Sequence, residues 1–417
     1  MGLYWKLILL VICIHKQSVL STRPNNNEGF FKQVADIFED GGSTAVKLFL
    51  DRELNDWKNV KINLAVFGTS GTGKSSFINT VLGLTADDEG SAPVGVKETT
   101  EEVKDYPHPQ YPNLVLWDLP GVGTPNFNRE NYFRKININL FDYFIFMTSD
   151  RFRDDDFWFA QELNAKDKLF YFVRNKVGQD IDNNKHDHPK SHTESKVLDD
   201  IRQNCEYNLN KLNLEKKIDV YLIDLHEPEK YDFEHLMDQL VNDTSEKKKE
   251  ALTLSMTRLT KDMILRKKEI LSERIHTLSL MSGVTGAIPV LLMDSFVDIG
   301  ILIEETKFYK TQFGLSEEML EAYAQRSEIT VDQLTKNLNL QSRLIGLTAK
   351  GILSYLSKKG FKKAGTLTTA KYVKYVLPLF GHALSGAASY AMTTWCLHDL
   401  LNLMVEDALK INDHKFN

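Results

Sequence analysis

Apolar positions first recur at helical spacing. Phe30, Phe31, Val34, Ile37 and Phe38 share one face, and Val46, Leu48, Phe49, Leu54 and Trp57 form a second stripe. This predicts helices over residues 29–58 that pack with a later helical domain. The period then changes. Short apolar runs at residues 62–67, 114–117, 143–147, 169–173 and 218–223 alternate with amphipathic stretches. Each run suits a buried parallel strand, and the roughly 20–45 residues between runs are enough for crossover helices. Residues 59–243 therefore read as a three-layer α/β domain with a mostly parallel sheet. Beyond Ser245 the strand signals stop. Met256, Leu259, Met263, Ile264, Ile270 and Ile275 open a helical pattern that predicts an all-α domain over residues 244–417.

Composition narrows the class. A chain of 417 residues with 42% hydrophobic and 26% charged residues is long enough for two folded domains and a leader. Its net charge of −6 argues against a whole-protein nucleic-acid binder. Cys13, Cys205 and Cys396 are scattered, which suggests neither a disulfide framework nor a zinc site and fits a reducing compartment. Residues 1–28 stand apart as a hydrophobic leader and linker. Lys6, the apolar run 7–14 and Val19-Leu20-Ser21 outline a secretory signal, while Tyr4 and Trp5 suit an interfacial membrane anchor. Both readings stay open. Gly2 permits myristoylation, but Lys6 stands where that motif wants Ser or Thr.

The candidate chemistry begins at Gly68-Thr69-Ser70-Gly71-Thr72-Gly73-Lys74-Ser75. This segment follows the run ending at Phe67 and precedes the helical pattern Phe77, Ile78, Val81, Leu82, so it matches G-x-x-x-x-G-K-[ST] in its proper context. Glycines there let backbone N–H groups converge on phosphate oxygens, and the helix start favours negative charge. Gly68, Gly71, Thr72, Gly73, Lys74, Ser75 and Ser76 form the nucleotide-binding set. Lys74 is expected to reach the β- and γ-phosphates, and Ser75 to ligate Mg²⁺. Asp118-Leu119-Pro120-Gly121 ends the next strand, where Asp118 serves the metal and the Gly121 N–H senses the γ-phosphate. Between them lie Thr99 and Thr100, placed for a switch threonine closing over Mg²⁺. The base-reading end departs from pattern. Asn175 and Lys176 begin an [NT]-K-x-D motif, but Gly178 stands where its aspartate belongs. Asp180 lies two residues on and reaches in if the loop bends at Gly178. Val122, next to Gly121, cannot orient water as a glutamine would, so turnover is expected to be slow and to need groups supplied in trans.

Four stretches carry a resemblance to a known family: GTSGTGKSSFIN at residues 68–79, GVKETT at 95–100, WDLPGVGT at 117–124 and FVRNKV at 172–177. Together with Tyr231-Asp232-Phe233 and the helical region from residue 278 on, they resemble the immunity-related (interferon-inducible) GTPases of the dynamin-like type. Lys74 and Ser75 place the chain with the GKS branch of that family. The resemblance implies an α/β P-loop GTPase domain plus an all-α helical domain, with GTP/GDP and Mg²⁺ as ligands. It implies catalytic roles for Lys74, Thr100 and Glu98, the last matching a switch glutamate used at the dimer interface. It implies homodimers or oligomers, partnership with related GTPases, and interferon-induced defence at intracellular membranes of the endoplasmic reticulum, Golgi or a vacuole. Asp224-Leu225 departs from the Ser-Asn usual at the fifth motif. With Gly178, that departure leaves open a non-hydrolysing membrane scaffold or relaxed base specificity.

One charge pattern bears on membranes. Between Gln333 and His398 there is no acidic residue but there are nine basic ones: Lys336, Arg343, Lys350, Lys358, Lys359, Lys362, Lys363, Lys371 and Lys374. Leu344, Ile345, Ile352, Tyr355, Leu356 and Phe361 interleave with them. The apolar positions read as helix-bundle core and the lysines as a membrane or partner surface, each lysine contributing on the order of 1 kcal/mol near an anionic leaflet.

Overall fold

The computed structural model describes residues 27–95, 102–121, 129, 132–150, 152–212, 218–257, 259–286, 294–364 and 386–415. The leader, Glu98, Thr99, Thr100, Val122, Lys371 and Lys374 lie outside the described residues, as do the side chains of Lys358, Lys359, Phe361, Lys362 and Lys363. The chain divides into two compact units, one of Trp57–Thr260 and one of the described residues before Trp57 together with those of Lys261–Lys415.

In chain order the elements are α1 (Asn27–Asn55, kinked at Gly42), β1 (Ile62–Phe67), α2 (Lys74–Leu82), β2 (Lys104–Pro107), β3 (Leu114–Asp118) and α3 (Tyr132–Lys135). Next come β4 (Tyr143–Thr148), α4 (Asp154–Ala165), β5 (Phe170–Arg174), α5 (Val177–Asp187), α6 (Glu194–Asn210), β6 (Val220–Leu222), α7 (Phe233–Asn242) and α8 (Glu246–Ser255). The helices α9 (Lys261–Gly286), α10 (Asp294–Gln312), α11 (Glu317–Arg326), α12 (Val331–Asn337), α13 (Ala349–Ala364) and α14 (Gly386–Lys415) follow.

The six strands form one sheet in the order β2-β3-β1-β4-β5-β6. Strands β3, β1, β4, β5 and β6 run parallel, and β2 alone is antiparallel, against β3. Every residue of β4 and β5 is buried, the uninterrupted apolar signature of strands covered on both faces. The sequence pattern missed β2. Its four residues, Lys-Asp-Tyr-Pro, bury only Tyr106, as suits a short polar edge that carries no apolar run. Parallel strands deliver their carboxyl ends to one edge of the sheet. Because β1 lies between β3 and β4, that edge has its topological switch at the end of β1, where ligands of open α/β sheets bind.

An aromatic cluster behind this edge holds it. Phe67, the last residue of β1, stacks on Phe159 of α4 with centroids 3.4 Å apart, and Tyr132 meets Phe67 edge-on at 6.0 Å. Buried rings of this kind typically cost about 3–5 kcal/mol to truncate to alanine. The Tyr132 hydroxyl donates to the Pro120 carbonyl at 2.7 Å, so the loop after β3 is tied to the core.

Helix α8 belongs with the sheet-bearing unit, whereas the helical periodicity beyond residue 243 suggested the all-α domain. Ala251, Leu252 and Leu254 are buried, Lys248 pairs with Asp142 at 2.6 Å, and Thr257 donates to the Val81 carbonyl at 3.4 Å. Periodicity marks an apolar face but does not say which core receives it.

In the helical unit α9 and α14 pack closely, with hydroxyl pairs Thr393–Ser282 at 3.0 Å and Thr394–Ser279 at 2.8 Å. Arg274 of α9 bonds Glu305 at 2.9 Å and donates to the Leu54 carbonyl at 2.5 Å, satisfying one of the carbonyls left open at the end of α1. Ile345, Ile352 and Leu356 are buried, as bundle-core positions should be, but Leu344 is 73% exposed. Arg343 does not join a free basic surface. Its guanidinium grips Glu317 at 2.8 Å and Asp332 at 2.5 Å, acids that lie just outside the stretch counted in the sequence. Among the described residues no helix is long and apolar enough to cross a membrane.

Lys267 of α9 is fully buried and donates to the side chain of Gln312 at 2.8 Å and to its carbonyl at 3.2 Å. Burial pushes its ammonium down from 10.5 to about 7. The unfolded chain keeps that proton to about 10.5 and the folded chain releases it near 7, so the unfolded state binds more protons in between. Stability of the helical unit is therefore expected to rise with pH between 7 and 9, by up to roughly 1 kcal/mol per pH unit from this group. Lys267→Met should flatten that rise, as urea unfolding at stepped pH will show.

Candidate functional site

The loop after β1 folds on itself before entering α2. Thr72 Oγ1 donates to the Thr69 carbonyl at 2.9 Å, and the Lys74 ammonium reaches back to the Gly68 carbonyl at 3.0 Å. Lys74 is only 8% exposed, so its charge is held within the loop instead of in bulk water. Gly73, the cap before α2, sits at φ 98°, where an L side chain is strained. A Cβ there would also lie 2.4 Å from Asn175 Nδ2, so the amide that bonds Thr72 would have to shift. The first turn of α2 thus presents backbone N–H groups and a lysine at one point, an anion-binding arrangement.

Strand register brings the metal-type donors alongside. Asp118 is level with Val66 in the β1–β3 ladder, just short of the loop. Its Oδ2 lies 3.5 Å from the Ser75 hydroxyl, which donates to it. Two hard oxygens at the start of a helix match the donor chemistry that Mg²⁺ prefers. A Cβ on Gly121 would stand 3.6 Å from the Gly68 carbonyl, so the loop after β3 lies against the phosphate-type loop.

The other half of the site comes from β5 and β6. The Asn175 amide donates to the Thr72 carbonyl at 2.9 Å, and its Oδ1 is buried with no partner among the described residues. Lys176 takes the left-handed conformation (φ 64°) as the residue before α5, with its side chain exposed. Gly68, Gly71, Thr72, Gly73, Lys74, Ser75, Ser76, Gly121, Asn175 and Lys176 fall on these loops and the first turn of α2, and Asp118 is the last residue of β3. Glu98 and Thr100 lie outside the described residues.

Asp180 does not take up the base-side position suggested for it. Gly178 lies within α5, so the chain does not bend there, and Asp180 is held by Arg174 at 2.6 Å. Burial raises the Asp180 carboxyl above its ordinary range, although the Arg174 guanidinium works against that. A different carboxylate stands beside Gly178. Asp224, in the loop after β6, accepts the Gly178 N–H on Oδ2 at 3.1 Å and the His226 N–H on Oδ1 at 2.9 Å. A Cβ on Gly178 would lie 2.6 Å from that Oδ2. Leu225, next in the same loop, comes within 3.5 Å of a Cβ built on Gly73. The sequence reading noted Asp224 only as a departure from pattern. Its pairing with a second departure, Gly178, was the available signal.

Comparison with known proteins places these residues in context. The profile of a family described as Interferon-inducible GTPase matches residues 28–411. T-cell-specific guanine nucleotide triphosphate-binding protein 2 of Mus musculus is 32% identical over 367 residues, covering 88% of this chain and 85% of that protein. Interferon-inducible GTPase 1 of Mus musculus is 38% identical over 275 residues, 66% of each chain. Interferon-inducible GTPase 5 of Rattus norvegicus is 30% identical, covering 90% of this chain and 80% of that protein.

The packing at Gly73 has a direct consequence for stability. Gly73→Ala adds left-handed strain and a clash with the amide that ties β5 to the loop. It should lower the unfolding free energy of the sheet-bearing unit by about 1–3 kcal/mol, measurable by chemical denaturation followed at its tryptophans.

Proposed function

The chain belongs to the interferon-inducible GTPase family, and from that premise we propose that it binds GTP between the loops following β1, β3, β5 and β6 and hydrolyses it to GDP and phosphate. The observation that carries this reading is the meeting of two pairs at the start of α2: Lys74 folded onto Gly68 at 3.0 Å, and Ser75 facing Asp118 at 3.5 Å. Lys74 neutralises charge on the β- and γ-phosphates, and the loop N–H groups bind their oxygens, both contacts strengthening as charge moves in phosphoryl transfer. Ser75 and Asp118 would hold Mg²⁺, with Thr100 as a further ligand from the switch. Bound there, the metal would supply charge neutralisation to the phosphates. Asn175 and Lys176 hold the base side, the former through its bond to Thr72.

Turnover by the lone chain is slow on this reading, because Val122 carries no group that orients water. Glu98, beside Thr99 and Thr100, supplies the missing function across a dimer or larger assembly of this chain or related GTPases. The setting is the cytoplasmic face of an intracellular membrane, in interferon-induced defence. The basic stretch from Lys350 to Lys374 supports contact with an anionic leaflet.

Two measurements check this. Lys74→Ala should weaken GTP binding by about 3 kcal/mol, roughly a hundredfold in Kd. Unchanged GTP affinity in that variant places the nucleotide elsewhere. GTP turnover per molecule should rise with protein concentration, and Glu98→Ala should suppress the rise while leaving GTP binding intact. Specific activity that stays constant over a wide concentration range in both proteins points instead to a non-hydrolysing scaffold.

A further inference from the structure

We infer that Asp224 is the guanine-reading group of this chain, a carboxylate delivered from the loop after β6 into the place that Gly178 leaves open. This rests on the GTP-binding reading of the same pocket and says how that pocket chooses its base.

The chemistry sets what is needed. The Watson–Crick edge of guanine presents two adjacent donors, the ring N1–H and the exocyclic amine, whereas adenine presents an acceptor at N1. An ionised carboxylate is acceptor-only, with roughly four lone-pair sites on two oxygens, so it accepts from both guanine donors and repels the adenine nitrogen. In Asn175-Lys176-Val177-Gly178 the fourth position has no side chain to do this.

The geometry supplies it from elsewhere. A Cβ at position 178 would lie 2.6 Å from Asp224 Oδ2 and 3.4 Å from its Cγ, so the Asp224 carboxylate fills the volume that a side chain at 178 would enter. A side chain at 178 would require the Asp224 carboxylate to move from where it now stands. Asp224 is buried to 7% exposure, and the Gly178 and His226 N–H groups each hold one of its oxygens. Those bonds use one lone pair on each oxygen and leave one on each for a ligand. Leu225 of the same loop would come within 3.5 Å of a Cβ built on Gly73, so the loop that carries the carboxylate lies beside the phosphate-type loop. Asp180, the alternative on the sequence, is committed to Arg174 at 2.6 Å.

A purely structural role is the rival, with Asp224 capping the first turn of α5 through the Gly178 N–H. Asparagine separates the two. Its carbonyl oxygen still accepts that N–H, but its amide replaces the oxygen that accepts the His226 N–H and donates where guanine also donates, so the gain for XTP is the reading that a structural role would not give. Xanthine carries a carbonyl in place of the exocyclic amine and would accept that bond. The experiment is competition titration of the full chain with labelled GTP, XTP and ATP. The variants are Asp224→Asn, Gly178→Asp, the double variant Gly178→Asp with Asp224→Gly, and Lys74→Ala as the phosphate control. Asp224→Asn should lose about tenfold or more in GTP affinity and gain comparably for XTP. Gly178→Asp alone should weaken GTP, because two carboxylates then compete for one space, and the double variant should restore it. GTP affinity unchanged in Asp224→Asn overturns the assignment. So does loss of both nucleotides alike with no recovery of GTP in the double variant. Wild type that binds none of the three nucleotides, and so matches Lys74→Ala, overturns the functional reading itself.

Discussion

The 2.9 Å bond from the Asn175 amide to the Thr72 carbonyl is the tie on which the site depends. It joins the end of β5 to the loop after β1, two segments separated by β4 in the sheet and by 103 residues in the chain. Each loop alone is a flexible turn with carbonyls and N–H groups to satisfy. Joined, they approach so closely that a side chain at Gly73 would displace the Asn175 amide. The aromatic cluster around Phe67 serves the same end from below. It fixes the last residue of β1 in a core that also anchors Pro120 through Tyr132, so the loops that begin at those points start from fixed positions.

What was legible in the sequence follows from what is local. The loop at residues 68–75 announces itself because its chemistry is consecutive, and the five apolar runs announce the parallel strands because burial on both faces demands them. The Ser75–Asp118 pair was legible through spacing alone, since two loops that close adjacent parallel strands must meet. β2 was not, because an edge strand of Lys-Asp-Tyr-Pro has nothing to bury beyond Tyr106. The destination of α8 was not, because a helical stripe looks the same whichever core it faces. Asp224 lies 46 residues from Gly178, and no local rule links a glycine in one motif to an aspartate in another. Only the three-dimensional coincidence of Gly178 and the Asp224 carboxylate makes one deviation explain the other.

The basic stretch shows a related limit in charge counting. A window free of acids counts Arg343 among nine basic residues, yet Glu317 and Asp332 reach it from neighbouring helices of the same unit. Bidentate-capable arginine suits such a junction, where several carboxylates converge on one planar group. Net charge read along a chain measures what the segment carries, whereas a surface presents what remains after folding has paired it.

The coupling of Gly178 with Asp224 also constrains the descent of this chain. If an ancestor carried its carboxylate at the earlier position, neither substitution was neutral alone. Gaining the aspartate after β6 first would have crowded two negative charges into one space, and losing the original first would have left the base unread for as long as that intermediate persisted. With Asp224 as the base-reading group, the two positions would form an epistatic pair, and a lineage that crossed between the two arrangements would have little reason to cross back. A scan that scores each motif separately would count two lesions here, where the proposed assignment counts one relocated function.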